Sequence, residues 1–290
     1  MLKHNDFPAL YLASDNASAE AQTALLRYHR FNNLLLIAGA GAAAWSTSSK
    51  YMAILSAALF LGSLFLYIYG QQTNLQAKWY QARALAESVK TSTWRFVMLA
   101  EPFADSAEGA SEEKFRLLLD ELLAENKGMG AYLGGAWSDR DQITPQMLRT
   151  RNCSFKEKND GYLQARIDEQ RRWYARKSGD NRKSAKKWFI GLCILYFGVI
   201  SCLMVRIAAP ATPYLPIDAL AVAAGCAIGW TQLKRFNELA SAYGLTAHEI
   251  GIIKSRYVSV HDEDSLARFV SDSENAFSRE HTQWAARRDH

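Results

Sequence analysis

The chain alternates between stretches dense in charge and four stretches almost free of it. The apolar stretches are Phe31–Ser48, Tyr51–Tyr69, Trp188–Val205 and Leu215–Leu233. At about 1.5 Å per helical residue, each covers most of a hydrocarbon core about 30 Å thick. They fall into two pairs joined by the short connectors "STSSK" and "IAAPATPYLPID". The second connector carries Pro210, Pro213 and Pro216, which stop one helix and preorganise the turn. The pattern predicts an all-α membrane protein with two transmembrane hairpins, four membrane helices in all, and long cytosolic helices forming a bundle. Its expected divisions are an N-terminal hairpin domain over 1–104, a cytosolic connector over 105–155 and a C-terminal hairpin domain over 156–290.

The stretch "LLLIAGAGAAAW" also resembles the glycine turn of a dinucleotide-binding fold. That fold needs an acidic residue about 20 positions on, to hold the ribose hydroxyls. No Asp or Glu occurs between Ala21 and Ala86, so the glycines belong to a small-residue helix. Basic residues fix an expected orientation. Only Lys50 and Arg206 lie in the connectors, whereas Arg27, Arg30, Lys78, Arg83, Lys186, Lys187, Lys234 and Arg235 flank the opposite ends. The positive-inside rule then puts both termini and the middle region in the bacterial cytosol and both connectors outside. Trp45, Tyr51, Tyr67, Tyr69, Trp188 and Trp230 sit near segment ends as an aromatic belt.

Composition changes this picture little. The 290 residues carry a formal charge of +5, and the one dense basic run, Arg171 to Lys187, abuts a membrane segment and is expected to meet anionic headgroups, not nucleic acid. Cys153, Cys193, Cys202 and Cys226 form no C-x-x-C and read as ordinary buried thiols. The N-terminal stretch lacks the charge and apolar pattern of a signal peptide.

Small residues recur every fourth position at Ala221, Gly225 and Gly229, and at Gly39 and Ala43. In lipid such stripes permit close helix packing, within a hairpin, between subunits or around a pore. Beyond the second apolar stretch, "KWYQARALAESVKTSTWRFVM" places Trp79, Arg83, Glu87, Lys90 and Trp94 on one helical face, with Arg95 alongside. Two readings stay open: an ion-paired stem continuing the membrane helix, or a surface taking nucleotide phosphate on its cations and a base on its tryptophans. Trp173, Tyr174 and Lys177 form a second set before the third apolar stretch.

Elsewhere, Ser111-Glu112-Glu113 predicts a helix start, with Phe115, Leu118, Leu119 and Leu122 inward. Thr144-Pro145 predicts another, and Gly244 with Thr246-x-x-Glu249 predicts a helix end followed by a capping box. Pro102–Ala110 and Asn126–Ser138 read as loops. Leu266, Phe269, Val270, Phe277 and Trp284 form a docking stripe on the tail.

The stretch "WYQARALAESVKTSTWRFVMLAEPF" resembles the first half of bacterial SLATT proteins, two-transmembrane effectors associated with nucleotide-signalling conflict systems. The stretches "GYLQARIDEQRRWYARKS" and "SENAFSREHTQWAARR" resemble the second half. The resemblance implies two such domains in tandem in the inner membrane. It further implies a homo-oligomeric effector that breaches the bilayer in antiviral defence, under a cyclic di- or oligonucleotide or a nucleotide-synthase partner. Alternatives are a membrane-anchored scaffold without pore activity and a housekeeping channel. No cofactor, metal or enzymatic activity is expected. His248-Glu249 lacks the second histidine of a zinc protease, Glu280-His281 has no nucleophile placed beside it, and no P-loop or G-x-S-x-G occurs.

Overall fold

The computed structural model describes residues 1–46, 48–104 and 109–286, with the side chains of residue 136 and of 279–286 outside the description. Within it every regular element is a helix. The order is α1 (Ala9–Ala43), α2 (Lys50–Thr73), α3 (Leu75–Val97), α4 (Ala110–Glu125), α5 (Pro145–Arg151), α6 (Phe155–Tyr162), α7 (Glu169–Ala208), α8 (Ile217–Lys234), α9 (Phe236–Ser255) and α10 (Glu263–Ala286). A π-helical turn, Leu163–Asp168, joins α6 to α7. The chain forms two compact units, each drawing on both halves of the sequence. The first comprises residues 1–22, 76–175 and 244–290, and the second 23–75 and 176–243.

The first unit buries bulky apolar side chains in a core. Phe96, Phe103 and Phe115 pack ring to ring at 4.8 to 5.8 Å and are essentially unexposed. Phe115 and Leu119 deliver the predicted inner face of α4. The α3 helix ends in a Schellman arrangement built on a leucine: Leu99 takes φ +56°, and Ala100 N–H donates to Arg95 O at 2.9 Å. Thr144 caps α5 as its sequence predicts, accepting from Met147 N–H at 3.3 Å. The tail stripe docks inside this unit: Leu266, Phe269, Val270 and Phe277 on α10 are all buried. Trp284 and the Glu280-His281 pair lie outside the described side chains.

Two boundaries depart from expectation. The helix stop at Gly244 and the capping box at Thr246 do not form, because α9 runs unbroken through both. Thr246 and Ile250 are buried one turn apart, and that packing overrides a glycine penalty of about 1 kcal/mol. The α1 helix stops at Ala43, short of Ser48, and turns through Trp45. The predicted Asn126–Ser138 loop contains two short 3-10 turns, and the Pro102–Ala110 loop has residues 105–108 outside the description.

The second unit inverts the usual rule of burial. The side chains buried from α2 are Ser56 and Ser63, and those buried from α8 are Ala224, Ala227 and Trp230. Outward point the bulky apolar ones: Phe65 is 70% exposed, Phe197 73% and Ile207 72%. Two continuous stretches, Lys50–Val97 and Phe155–Ala208, are long and apolar enough to cross a membrane by length and composition. The expected segments at Phe31–Ser48 and Leu215–Leu233 are largely helical but do not reach that standard by themselves. The cysteines are free thiols, Cys193 exposed on α7 and the others half-buried, so the expectation of full burial fails; Cys193, Cys202 and Cys226 lie on the apolar helices of this unit and Cys153 follows α5 in the first.

Polar groups hold the first hairpin from within. Ser56 Oγ donates to Gly39 O at 2.9 Å, and Ser63 Oγ donates to Asn32 Oδ1 at 2.8 Å. A Cβ on Gly39 would stand 3.3 Å from the Phe60 ring. The stem after α2 is not one continuous helix: Asn74 alone, in the left-handed region at φ 46°, separates α2 from α3. Arg235, at φ 47°, separates α8 from α9 in the same way. Asparagine takes that conformation readily, and arginine does so at a cost of about 1 kcal/mol.

The glycines of the two stripes therefore differ. Gly39→Leu is expected to lower the melting temperature of detergent-solubilised protein sharply, because its space is filled by Phe60. Gly229→Leu is expected to be tolerated, because a Cβ there meets nothing within 4 Å. Equal losses from both substitutions would contradict the assignment.

Candidate functional site

The face predicted on α3 folds into the centre of the first unit. Arg83 Nη1 lies 3.5 Å from Asp15 on α1, and Arg83 also pairs with Glu87 one turn along its own helix. Burial alone would lower the Arg83 guanidinium, but Glu87 and Asp15 together hold it above its ordinary pKa. Glu87 is buried. Lys90 follows on the same face with no ion pair among the described residues. Desolvation, helped by Arg166 and Arg83, outweighs attraction from Glu87 and Glu274, and the ammonium is held below its usual pKa.

A second ion pair, wholly buried, completes the cluster. Arg166, in the π-helical turn, meets Glu274 of α10 through two bonds: Nε to Oε1 at 2.8 Å and Nη2 to Oε2 at 2.6 Å. Tyr162 Oη donates to the same Oε1 at 2.8 Å. Burial, followed by the Glu274 charge, pushes the Tyr162 phenol far up, so it is a fixed donor at any physiological pH. The face of Phe277 lies 4.6 Å from the Arg166 guanidinium carbon. Further pairs, Lys254 with Asp168 at 2.6 Å and Lys158 with Glu263 at 2.8 Å, tie α9 and α10 to the helices around the π turn.

The structure distributes the expected site residues unevenly. Arg83, Glu87 and Lys90 come together in the cluster. Trp94 is buried between Phe7 and Tyr162, at 6.2 and 5.6 Å between ring centres, and offers no free face for stacking a base. Trp79 is half-buried and stacks on Tyr80. Arg95 Nη2 donates to Asn275 Oδ1 at 2.8 Å. Tyr174 is buried within charge reach of Arg83, and Trp173 lies edge-on to it. Lys177 falls in the second unit. There Gly39 is closely packed and Ala43 half-buried, while Ala221, Gly225 and Gly229 point outward from α8. Trp230, expected in the aromatic belt, is buried beside Trp188, whereas Trp45 stacks flat on Tyr214 at 4.0 Å.

Asp15, Tyr162, Arg166 and Glu274 are cluster members that sequence reasoning missed. One signal was present: Gln-Ala-Arg occurs at both 81–83 and 164–166, each after a tyrosine, Tyr80 or Tyr162. The second copy has one extra residue between tyrosine and arginine. A π turn absorbs one extra residue, and it occurs at that place. Arg83 and Arg166 are thus counterparts, each anchored by a carboxylate remote in sequence.

The recurrence matches how the chain compares with known families. Residues 8–159 match SMODS and SLOG-associating 2TM effector domain 3 (SLATT_3), and residues 162–284 match domain 1 of the same group (SLATT_1). The chain belongs to the SLATT family, with two such domains in tandem. Comparison with curated proteins and with solved structures gives no significant match. SLATT domains are effector domains of nucleotide-signalling conflict systems and are described as two-transmembrane, in keeping with the two long apolar helices here. The division between the matches falls between Asn159 and Tyr162, just before the π turn, so each SLATT domain contributes one of the paired arginines.

Glu274→Gln is expected to cost about 3–5 kcal/mol by leaving Arg166 buried without a counter-charge, and Arg166→Met with Glu274→Leu to recover most of it. Denaturant melts of the wild type and these two variants check both values. Lys90 gives a signed pH dependence. Its folded-state pKa lies below the unfolded value of about 10.5, so its charge destabilises the fold at neutral pH and the penalty fades as pH rises toward that value. Lys90→Met should raise the melting temperature at pH 7 and flatten the rise between pH 7 and 10.

Proposed function

We propose that this SLATT protein is a membrane effector whose two hairpins span the inner membrane and open a path through it when the chain assembles. The observation carrying this reading is the uncovered apolar surface on α2 and α7, with serine and alanine turned inward. In water each bulky side chain left exposed forgoes about 1.5–3 kcal/mol of burial, whereas in lipid the same surface is solvated. The basic flanks support cytosolic termini, with the turns at Lys50 and Arg206 outside.

Homo-oligomer formation belongs to this reading through the bulky apolar surface left uncovered on α2 and α7, which neighbouring copies can share in lipid. The buried charge cluster supports a stem-stabilising role for Arg83 and Glu87, with regulation acting on the first unit through a nucleotide messenger or a partner protein. No step of this action requires covalent chemistry, and we assign none to the protein. A scaffold without pore activity is the second reading, favoured by the ion pairs of Arg83 with Asp15 and Glu87 and of Arg166 with Glu274, which hold the first unit together without calling on a ligand.

Dye-loaded liposomes containing the purified chain decide between the readings. Leakage on addition of a cyclic dinucleotide, or constitutively, is the outcome expected of an effector. Liposomes that stay sealed at every protein density, with and without nucleotides, would support the scaffold.

A further inference from the structure

The second unit contains a chamber of about 300 Å³ between α1 and α8. Its α1 wall is His29, Asn33 and Leu36, one turn apart on a single face, and its α8 wall includes Gly225, Gly229 and Trp230. The glycines face open space: a Cβ on either would meet nothing within 4 Å. Its lining is mostly apolar. Its polar groups come from the α1 end nearest the basic flank, where burial keeps the His29 imidazole below its ordinary pKa and therefore uncharged at pH 7.

Cations gather at that end. The Arg30 guanidinium carbon sits 5.3 Å from the centre of the Trp230 ring, which itself lines the chamber. Lys234, one turn beyond Trp230, lies within electrostatic reach of Arg30 and Lys177, both repelling it. Neither Arg30 nor Lys234 has a carboxylate partner among the described residues. The acidic side chains of this unit are Asp180, Asp218 and Glu238, and Glu238 is paired with Arg235. Arg30 and Lys234, like charges held near one another with no carboxylate partner among the described residues and beside an apolar chamber, fit a ligand with an anionic head and a hydrocarbon tail.

We propose that this chamber binds one anionic phospholipid, its phosphodiester between Arg30 and Lys234 and part of an acyl chain along Leu36, Gly225 and Gly229. A second copy of the chain fits less well, because a symmetric contact would bring the same cations face to face. A free nucleotide would supply the phosphate but leave the apolar lining uncovered. The site rests on the membrane reading given above, and it adds the lipid class.

The test uses the full chain in neutral detergent and native mass spectrometry, with phosphatidylglycerol and phosphatidylcholine as probes and inorganic phosphate and a cyclic dinucleotide as competitors. One phosphatidylglycerol per chain should be retained in preference to phosphatidylcholine, and neither competitor should displace it. Arg30→Gln with Lys234→Gln should weaken retention about tenfold or more. Gly229→Leu should weaken it comparably by filling the chamber with the charges intact, and Lys50→Gln with Arg206→Gln should leave it unchanged. Equal retention of the two lipids, or undiminished retention in Gly229→Leu, overturns the proposal. Displacement by phosphate or nucleotide also overturns it, as does a Gly229→Leu variant whose subunit stoichiometry changes while its lipid does not. Flotation with vesicles separates the two claims. A chain that floats yet ignores headgroup charge refutes this site alone, and one that never floats refutes the membrane reading with it.

Discussion

The surface of α2 and α7 sets the terms for the rest of this molecule. A fold ordinarily gains stability by hiding phenylalanine, leucine and isoleucine, yet Phe65, Phe197 and Ile207 stand almost fully outward. What the helices hide instead is small or hydroxylated, and the hydroxyls are spent on neighbouring carbonyl and amide oxygens: Ser56 on Gly39, Ser63 on Asn32. That is the order expected where the solvent is hydrocarbon, so that packing and hydrogen bonds, not burial of grease, hold helices together. The chamber between α1 and α8 belongs to the same regime, a mostly apolar gap lined by two glycines and bordered by Arg30 and Lys234.

The first unit follows the opposite logic. Its aromatic core is buried and closely packed, and Arg166 and Glu274 are buried as a pair. Arg166 with Glu274 costs desolvation that their mutual bonds, and the bond from Tyr162, only offset. Such a pair gives little net stability. It does fix the register between the π turn and α10, since a slip of one residue would strand a charge. Lys90, whose burial outweighs the attraction of Glu87 and Glu274, works against stability at neutral pH.

Much of the architecture was legible in the chain because membrane and soluble helices write different patterns. Long uncharged runs flagged α2 and the second half of α7, proline marked the connector from α7 to α8, and the 3.6-residue stripe at Leu266, Phe269, Val270 and Phe277 foretold the buried face of α10. The stem face from Arg83 to Trp94 was visible by the same periodicity. What escaped was long-range. Nothing local couples Asp15 to Arg83 or Glu274 to Arg166, because those partners lie far apart in sequence and are chosen by tertiary packing. The repeated Gln-Ala-Arg was a clue obscured by one inserted residue, which the π turn takes up. Gly244 misled for a related reason: a glycine that ends an isolated helix is carried through when both flanking turns are buried.

Substituted-cysteine labelling in intact cells tests most directly whether the outward apolar surface is met by lipid. Single cysteines at Lys50 and Arg206, in a background with the native cysteines replaced, should react with a membrane-impermeant maleimide added outside, while cysteines at Phe65 and Phe197 should stay unreactive until detergent is added. Free reaction of Phe65→Cys and Phe197→Cys in water, in a chain recovered without detergent, would contradict the account.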